Sequence, residues 1–95
     1  MKIVWRPMAE ADRENIFDYI ALDNPQAALD LDAAFKTKVE IAARNPQLYK
    51  VGRMRGTREI VVRPNYLMVF DIDDENDTLV VLRVLHAAQQ CPSIK

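Results

Sequence analysis

The spacing of apolar residues changes near Asn45-Pro46, and this change most constrains what the chain can fold into. Before it, apolar residues recur every three or four positions, which is the period of an amphipathic helix. One helix is predicted from Met8 to Leu22 and a second from Pro25 to about Arg44. Because so few residues join them, the two helices should form an antiparallel hairpin. The predicted buried stripe of the second helix is Ala28, Leu31, Phe35, Val39 and Ala42.

After this point, the pattern is that of β-strands separated by turn residues. The predicted strands, including a short one before the first helix, are Lys2 to Trp5, Thr57 to Arg63, Tyr66 to Ile72 and Thr78 to Leu85. The order β-α-α-β-β-β predicts an α+β fold in one domain, residues 1–95, ending in a three-stranded antiparallel meander. We expect the helical hairpin to cover one face of an antiparallel sheet of about four strands and to leave the other face open or partly open. The last strand is the most apolar and should therefore be central.

Charge is unevenly distributed behind a formal net charge of −1. Residues 9–40 hold eight acids against three bases, whereas residues 50–63 hold five bases against one acid. A basic middle in a nearly neutral chain indicates a local anionic partner, although a solvated loop explains the same charges. No apolar run reaches the roughly 18 residues of a membrane span. The N-terminus lacks the apolar core of a signal peptide, and the single Cys91 cannot form an internal disulfide, so we expect a cytoplasmic protein.

Three segments of the chain carry a family resemblance. The first begins at Trp5 and reads WRPMAEADRENIFDYIALDNPQAA. The second, Gly52 to Ile72, reads GRMRGTREIVVRPNYLMVFDI. The third, Val81 to Pro92, reads VLRVLHAAQQCP, and its Arg83-Val84-Leu85-His86 at a strand end is the most specific piece. In this order and spacing, the three segments resemble the RelE/ParE superfamily of toxins from type II toxin–antitoxin systems.

The resemblance implies a toxin that arrests growth when its labile antitoxin is lost, with a role in plasmid or chromosome stabilisation. It implies a cognate small antitoxin, acidic and partly disordered, that masks the working face of the toxin. RelE-like members cut messenger RNA in the ribosomal A site, whereas ParE-like members inhibit DNA gyrase without nuclease chemistry. The fold is common to both, so it cannot decide between these targets. The chain has no metal-ligand motif and no phosphate-binding glycine loop, so no cofactor and no metal are expected.

Metal-free RNA cleavage needs a base, a cation that stabilises the phosphorane and an acid for the leaving oxygen. If the protein is a nuclease, the candidates are His86, Arg83, Arg63 and Arg58. The alternation of a regular strand places Arg83 and His86 on opposite faces, and likewise Arg58 and Arg63. A structural explanation competes with each role. His86 would then be a strand-end histidine with local hydrogen bonds, and Arg83 would be paired within the fold, because an unpaired charge in an apolar strand is costly.

The sequence departs from the nuclease members in two places. Many of them carry an arginine directly after the tyrosine that opens the third strand, but Tyr66 is followed by Leu67. RelE has lysines along the strand that matches Arg58 to Arg63, which here contains Glu59-Ile60-Val61-Val62. The reduced basic cluster favours a ParE-like inhibitor of gyrase over a RelE-like ribosome-dependent endonuclease. A third alternative is a non-toxic protein that has kept antitoxin binding.

The basic loop supplies the candidates for binding the target or the antitoxin. They are Lys50, Arg53 and Arg55, together with Tyr66, which can hydrogen-bond or stack. Mostly on the resemblance, we expect the three basic residues to contact an acidic partner or phosphate. The expected partners are therefore the antitoxin and either DNA gyrase or the ribosome with messenger RNA, and no membrane.

Overall fold

The computed structural model describes residues 1–49, 51–52 and 56–88. Its elements in chain order are β1 (Lys2–Trp5), α1 (Pro7–Ala21), α2 (Pro25–Arg44), a short 3-10 helix (Pro46–Leu48), β2 (Arg58–Arg63), β3 (Tyr66–Asp73) and β4 (Thr78–His86). The predicted α+β order is confirmed, and the predicted boundaries of the helices and strands agree with these to within one residue.

Both helices begin at a proline, which suits the first helical position because its φ is already helical and no N–H is lost. In α2 the side chain of Asn24 accepts a hydrogen bond from the backbone N–H of Ala27 at 3.1 Å, as expected of an N-cap. Arg13 of α1 donates two hydrogen bonds to Asp32 of α2, at 3.0 and 2.9 Å, and lies 4.4 Å above the ring of Trp5. This arginine therefore joins β1, α1 and α2.

The sheet has the strand order β1-β4-β3-β2, so the predicted central position of β4 is confirmed. β2, β3 and β4 form the predicted antiparallel meander. The expectation of a wholly antiparallel sheet was wrong, because β1 pairs parallel with β4, with Lys2 opposite Thr78 and Trp5 opposite Val81. A helical hairpin follows β1, so no tight turn forces β1 to run antiparallel to its neighbour.

Apolar residues are buried on both faces of the sheet. The main core lies between the helices and the sheet, and its buried residues include Phe35, Val39, Met68 and Phe70. On the opposite face Leu67, Val69, Leu82 and Leu85 form a second buried cluster, which we call the second-face cluster. That face was expected to be open or partly open. Its centre is buried, whereas Val61 on β2 is 56% exposed, so the face is open only in part.

Two β-bulges shift the register of the meander, one between Val61 and Arg63 in β2 and one where Val69 and Phe70 of β3 meet β4. A bulge adds one residue to one strand and so changes which later residues share a face. Among the described residues, no helix is both long enough and apolar enough to cross a membrane.

Candidate functional site

An aromatic row lies at the end of the sheet where β3 begins and β4 ends. Tyr66 and His86 are register partners, and their rings meet edge to face with centroids 5.3 Å apart. On its other side Tyr66 meets Phe35 of α2 in the same manner at 6.2 Å. Arg63 is paired with Tyr66 across the β2–β3 turn. The sheet register therefore brings together three of the predicted site residues: Arg63, Tyr66 and His86.

A cavity of about 280 Å³ adjoins this row, between the tip of the helical hairpin and the β2–β3 turn. The helices line it with Ile20, Ala27, Asp30 and Leu31, and the turn lines it with Arg63, Asn65 and Tyr66. It thus has apolar walls, one carboxylate and one exposed guanidinium. Such a combination can accept an apolar or aromatic group beside an anion.

The hydrogen bonding of His86 bears on its proposed role as a base. Its Nδ1 accepts a hydrogen bond from the backbone N–H of Ala88 at 3.2 Å. An imidazole nitrogen that accepts cannot carry the proton, so neutral His86 in this geometry is protonated at Nε2. In that tautomer Nδ1 is the acceptor and Nε2 carries the hydrogen. With Nδ1 engaged in this way, neutral His86 can donate a hydrogen bond from Nε2, but its one acceptor nitrogen is already used and is not free to remove the proton of a 2′-hydroxyl.

Arg83 is paired within the fold, as the structural alternative predicted. Its guanidinium donates two hydrogen bonds to Asp12 of α1, at 2.7 and 2.9 Å. The Asp12 carboxylate also accepts the backbone N–H of Val84 at 2.9 Å, and both charged side chains are largely buried. Arg83 is opposite Val69 of the second-face cluster, whereas His86 is opposite Tyr66, which packs on the main core. By strand register Arg83 and His86 belong to opposite faces, but the Arg83 guanidinium reaches Asp12 of α1.

Arg58 is at the far end of β2 from the aromatic row. It is five residues before Arg63, about 16 Å along a strand, and its guanidinium donates to the carbonyl of Tyr49 at 2.8 Å. The expectation that Arg58 and Arg63 lie on opposite faces was wrong. Arg58 is paired with Phe70 and Arg63 with Tyr66, both of which face the main core, because the bulge between Val61 and Arg63 resets the alternation.

Lys50, Arg53 and Arg55, the predicted binding residues of the basic loop, lie outside the described residues, as does Cys91. Their role stays a prediction. The two ends of the loop meet, since Val51 bridges to Arg58 and the N–H of Gly52 donates to the carbonyl of Thr57 at 2.7 Å. Val51 and Gly52 therefore lie beside the first residues of β2.

The second face of the sheet carries the positions at which the sequence departs from the nuclease pattern. Leu67 is only 4% exposed and belongs to the second-face cluster. Glu59, opposite Val69, is 6% exposed, and Val61, opposite Leu67, is exposed but apolar. In the part of the chain that the structure describes, no three carboxylate, histidine or cysteine side chains are grouped as metal ligands would be. Of the candidate residues that the structure describes, Arg63, Tyr66 and His86 are the ones brought together.

Sequence reasoning did not assign Asp12 a role. An arginine inside an apolar strand is the signal that a buried acid must lie nearby. The pattern could not say which acid, because Asp12 and Arg83 are 71 residues apart in the chain. Asp12 is one of eight acids in residues 9–40, and only the packing of α1 on β4 distinguishes it.

A helical hairpin on one face of a four-stranded β-α-α-β-β-β sheet defines the class of small RelE/ParE-like toxins. Within this class, the chain belongs to the family of ParE toxins of type II toxin–antitoxin systems, whose family model matches residues 3–91. A Sinorhizobium fredii protein named as the toxin Y4kP is 32% identical over 94 residues, which cover 98% of this chain and 95% of that protein.

Solved structures share the fold. A chain of the chromosomal ParDE toxin–antitoxin system of Pseudomonas aeruginosa aligns with a TM-score of 0.78 at 18% identity, over 90% of this chain and 95% of that one. A chain of the RelBE2 toxin–antitoxin complex of Mycobacterium tuberculosis aligns with a TM-score of 0.63 at 25% identity, with the same coverage. Structures named for ParE and for RelE are thus both similar to this chain.

Proposed function

We propose that this toxin arrests growth from within the cytoplasm by binding DNA gyrase rather than by cutting RNA. The observation that carries the proposal is the character of the second face of the sheet. Where nuclease members carry cations, this chain has Leu67 buried in an apolar cluster and Val61 beside it. Cleavage requires cations near the phosphorane, and a buried leucine leaves no space for one.

The contacts of the other candidate residues support the same proposal. Arg83 is held by Asp12, and Arg58 is held by the carbonyl of Tyr49, so each has a structural role at some distance from His86. His86 has its Nδ1 occupied by the N–H of Ala88. Two of the four candidate catalytic residues, Arg58 and Arg83, are therefore engaged elsewhere in the fold, and Arg63 is the candidate cation that lies beside Tyr66 and His86.

The test compares two purified systems. We expect the toxin to block supercoiling of relaxed plasmid by DNA gyrase and to leave messenger RNA on translating ribosomes uncut. His86→Ala should keep most of the inhibition, because the proposed activity needs contact rather than proton transfer. Cut transcripts on ribosomes, together with normal supercoiling, would overturn the proposal. A wild-type chain that is harmless when produced without an antitoxin would instead support the non-toxic alternative.

A ribosome-dependent endonuclease is the second candidate, because Arg63, Tyr66 and His86 lie together beside the 280 Å³ cavity. It requires Arg63→Ala and His86→Ala to abolish growth arrest while the fold is kept. Arg83→Ala is a poor probe of cleavage, since it leaves Asp12 of α1 without its cation. Retained toxicity in both Arg63→Ala and His86→Ala would exclude this candidate.

We further propose that the toxin is neutralised by a small acidic antitoxin. The family consists of toxins from two-protein systems, and the similar chains named above come from toxin–antitoxin structures. An acidic, partly disordered segment that folds on binding would neutralise the basic loop and cover the exposed part of the second face. A small gene adjoining the toxin gene, whose product abolishes growth arrest when produced together with the toxin, is the expected finding.

A further inference from the structure

The outer face of α1 presents an uncharged stripe to solvent. All five of its residues are exposed, and Tyr19 and Leu22 are 74% and 84% exposed. The stripe, which we call the α1 stripe, consists of Met8, Ala11, Asn15, Tyr19 and Leu22. The spacing of three, four, four and three residues places them within an arc of about 80° along about 21 Å of helix.

The α1 stripe is bordered by acids. Glu14 and Asp18 are exposed on one side of it. Neither has a hydrogen-bond or ion-pair partner within the described part of the chain. Glu10 lies farther round the same side, whereas the one arginine of the helix, Arg13, is held by Asp32. An uncharged, mostly apolar line with carboxylates beside it is complementary to a helix with an apolar line and basic flanks.

We propose that the α1 stripe binds a basic amphipathic helix of the protein that this toxin inhibits. The inference rests on the proposed function, inhibition by binding, and adds the chemistry of the partner. A second copy of the chain fits poorly, because a two-fold pairing of α1 about Asn15 places the Glu14 and Asp18 carboxylates of both copies together. An acidic antitoxin is repelled by the same carboxylates.

The α1 stripe lies on the helical side of the sheet, whereas the second face, to which we assign the antitoxin, lies on the other side. Neutralisation does not require the antitoxin to cover the α1 stripe. It requires only that one of the contacts made by the target be blocked. Substitutions in the α1 stripe should therefore separate target inhibition from antitoxin binding.

The experiment compares two variants with matched controls. Tyr19→Ser/Leu22→Ser removes the apolar contacts, and Leu29→Ser/Leu48→Ser removes two exposed leucines elsewhere, 54% and 76% exposed. Glu14→Lys/Asp18→Lys reverses the charge beside the stripe, and Asp74→Lys/Glu75→Lys reverses two exposed acids in the β3–β4 turn. Each protein is measured for inhibition of gyrase supercoiling, growth arrest after induction, antitoxin affinity by calorimetry and melting temperature.

We expect both α1-stripe variants to raise the half-inhibitory concentration about tenfold or more. Their antitoxin Kd should change less than about threefold, and both control variants should behave as wild type. Unchanged potency, or a parallel loss of antitoxin affinity, overturns the proposal. If wild-type toxin arrests growth without inhibiting gyrase, the gyrase proposal fails but the proposal for the α1 stripe does not. Growth arrest by the same variants then decides whether the α1 stripe contacts the target. A harmless wild type overturns both.

Discussion

Asp12 makes three hydrogen bonds at the point where β4 loses its neighbouring strand. β1 ends at Trp5, opposite Val81, so the later residues of β4 have no strand on that side. The N–H of Val84 donates instead to the Asp12 carboxylate, and Arg83 donates to the same carboxylate twice. A side chain of α1 thus satisfies a sheet-edge donor and a buried arginine together, which fixes α1 on β4.

Asp12→Ala should therefore destabilise the fold more than the loss of an ordinary surface acid. It removes the carboxylate that accepts three hydrogen bonds from a largely buried guanidinium and a backbone N–H, which costs about 3 kcal/mol of unfolding free energy. Asp32→Ala is the matched control, because the Arg13–Asp32 pair is more exposed and should contribute less than about 1 kcal/mol. Urea denaturation measures both. Equal losses in the two variants would show that Asp12 has no special role at the sheet edge.

Leu67, the residue after Tyr66, allows a test of why the nuclease pattern is absent. Restoring the nuclease pattern with Leu67→Arg should not restore cleavage, because the side chain is buried in the second-face cluster. An unpaired charge there should cost about 3–5 kcal/mol. Its register partner Val61 is 56% exposed, and Val61→Lys should change stability by less than about 0.5 kcal/mol. Urea denaturation and a ribosome cleavage assay are carried out on both variants. A Leu67→Arg protein that is as stable as wild type and cleaves RNA would contradict this prediction.

At the scale of elements, the helices and strands could be predicted because their signals are local. The Asn24-Pro25 start, the three- and four-residue apolar steps of α2 and the turn at Pro64-Asn65 all lie within a few residues of what they determine. The direction of β1 could not be predicted, since it depends on pairing with β4 more than 70 residues later. The bulge between Val61 and Arg63 could not be predicted from the sequence either, and it places Arg63 on the same face as Arg58.

The turn between β3 and β4 allows a prediction about acid. Asp73 accepts hydrogen bonds from the side-chain amide of Asn76 at 2.7 Å and from its backbone N–H at 3.2 Å. These two hydrogen bonds hold the pKa of Asp73 below the ordinary value of an aspartate, and the side-chain bond has the larger effect. Because the folded pKa is depressed, its contribution to turn stability is present above the unfolded pKa. That contribution is lost as the pH falls through the folded pKa.

A carboxyl NMR titration checks this prediction. The pKa of Asp73 should lie below that of a free aspartate in the wild type and rise toward the free value in Asn76→Ala. Glu75→Gln removes a neighbouring charge but keeps both Asn76 bonds, so the Asp73 pKa should stay low in that variant. An unchanged Asp73 midpoint in Asn76→Ala would mean that these hydrogen bonds do not set the pKa.

At the scale of the whole molecule, the nearly neutral total charge conceals two regions of opposite sign. The outer face of α1 exposes Glu10, Glu14 and Asp18, whereas Lys50, Arg53 and Arg55 follow one another closely in the sequence. Association of charged proteins responds to the local field rather than to net charge. An acidic antitoxin should therefore be attracted to the basic segment, and a basic target helix to the outer face of α1.

This separation predicts how charge substitutions change the association rate of the antitoxin. Lys50→Gln/Arg53→Gln/Arg55→Gln should slow association about tenfold at low salt. At about 1 M salt, where the screening length is about 3 Å, the difference from wild type should disappear. The matched control Glu10→Gln/Glu14→Gln/Asp18→Asn changes the same number of charges on α1 and should not slow association. Stopped-flow mixing measures both rates. If the two triple variants changed the association rate by equal factors in opposite directions, net charge alone would explain the effect of charge on the rate. The antitoxin could then not be assigned to the basic segment.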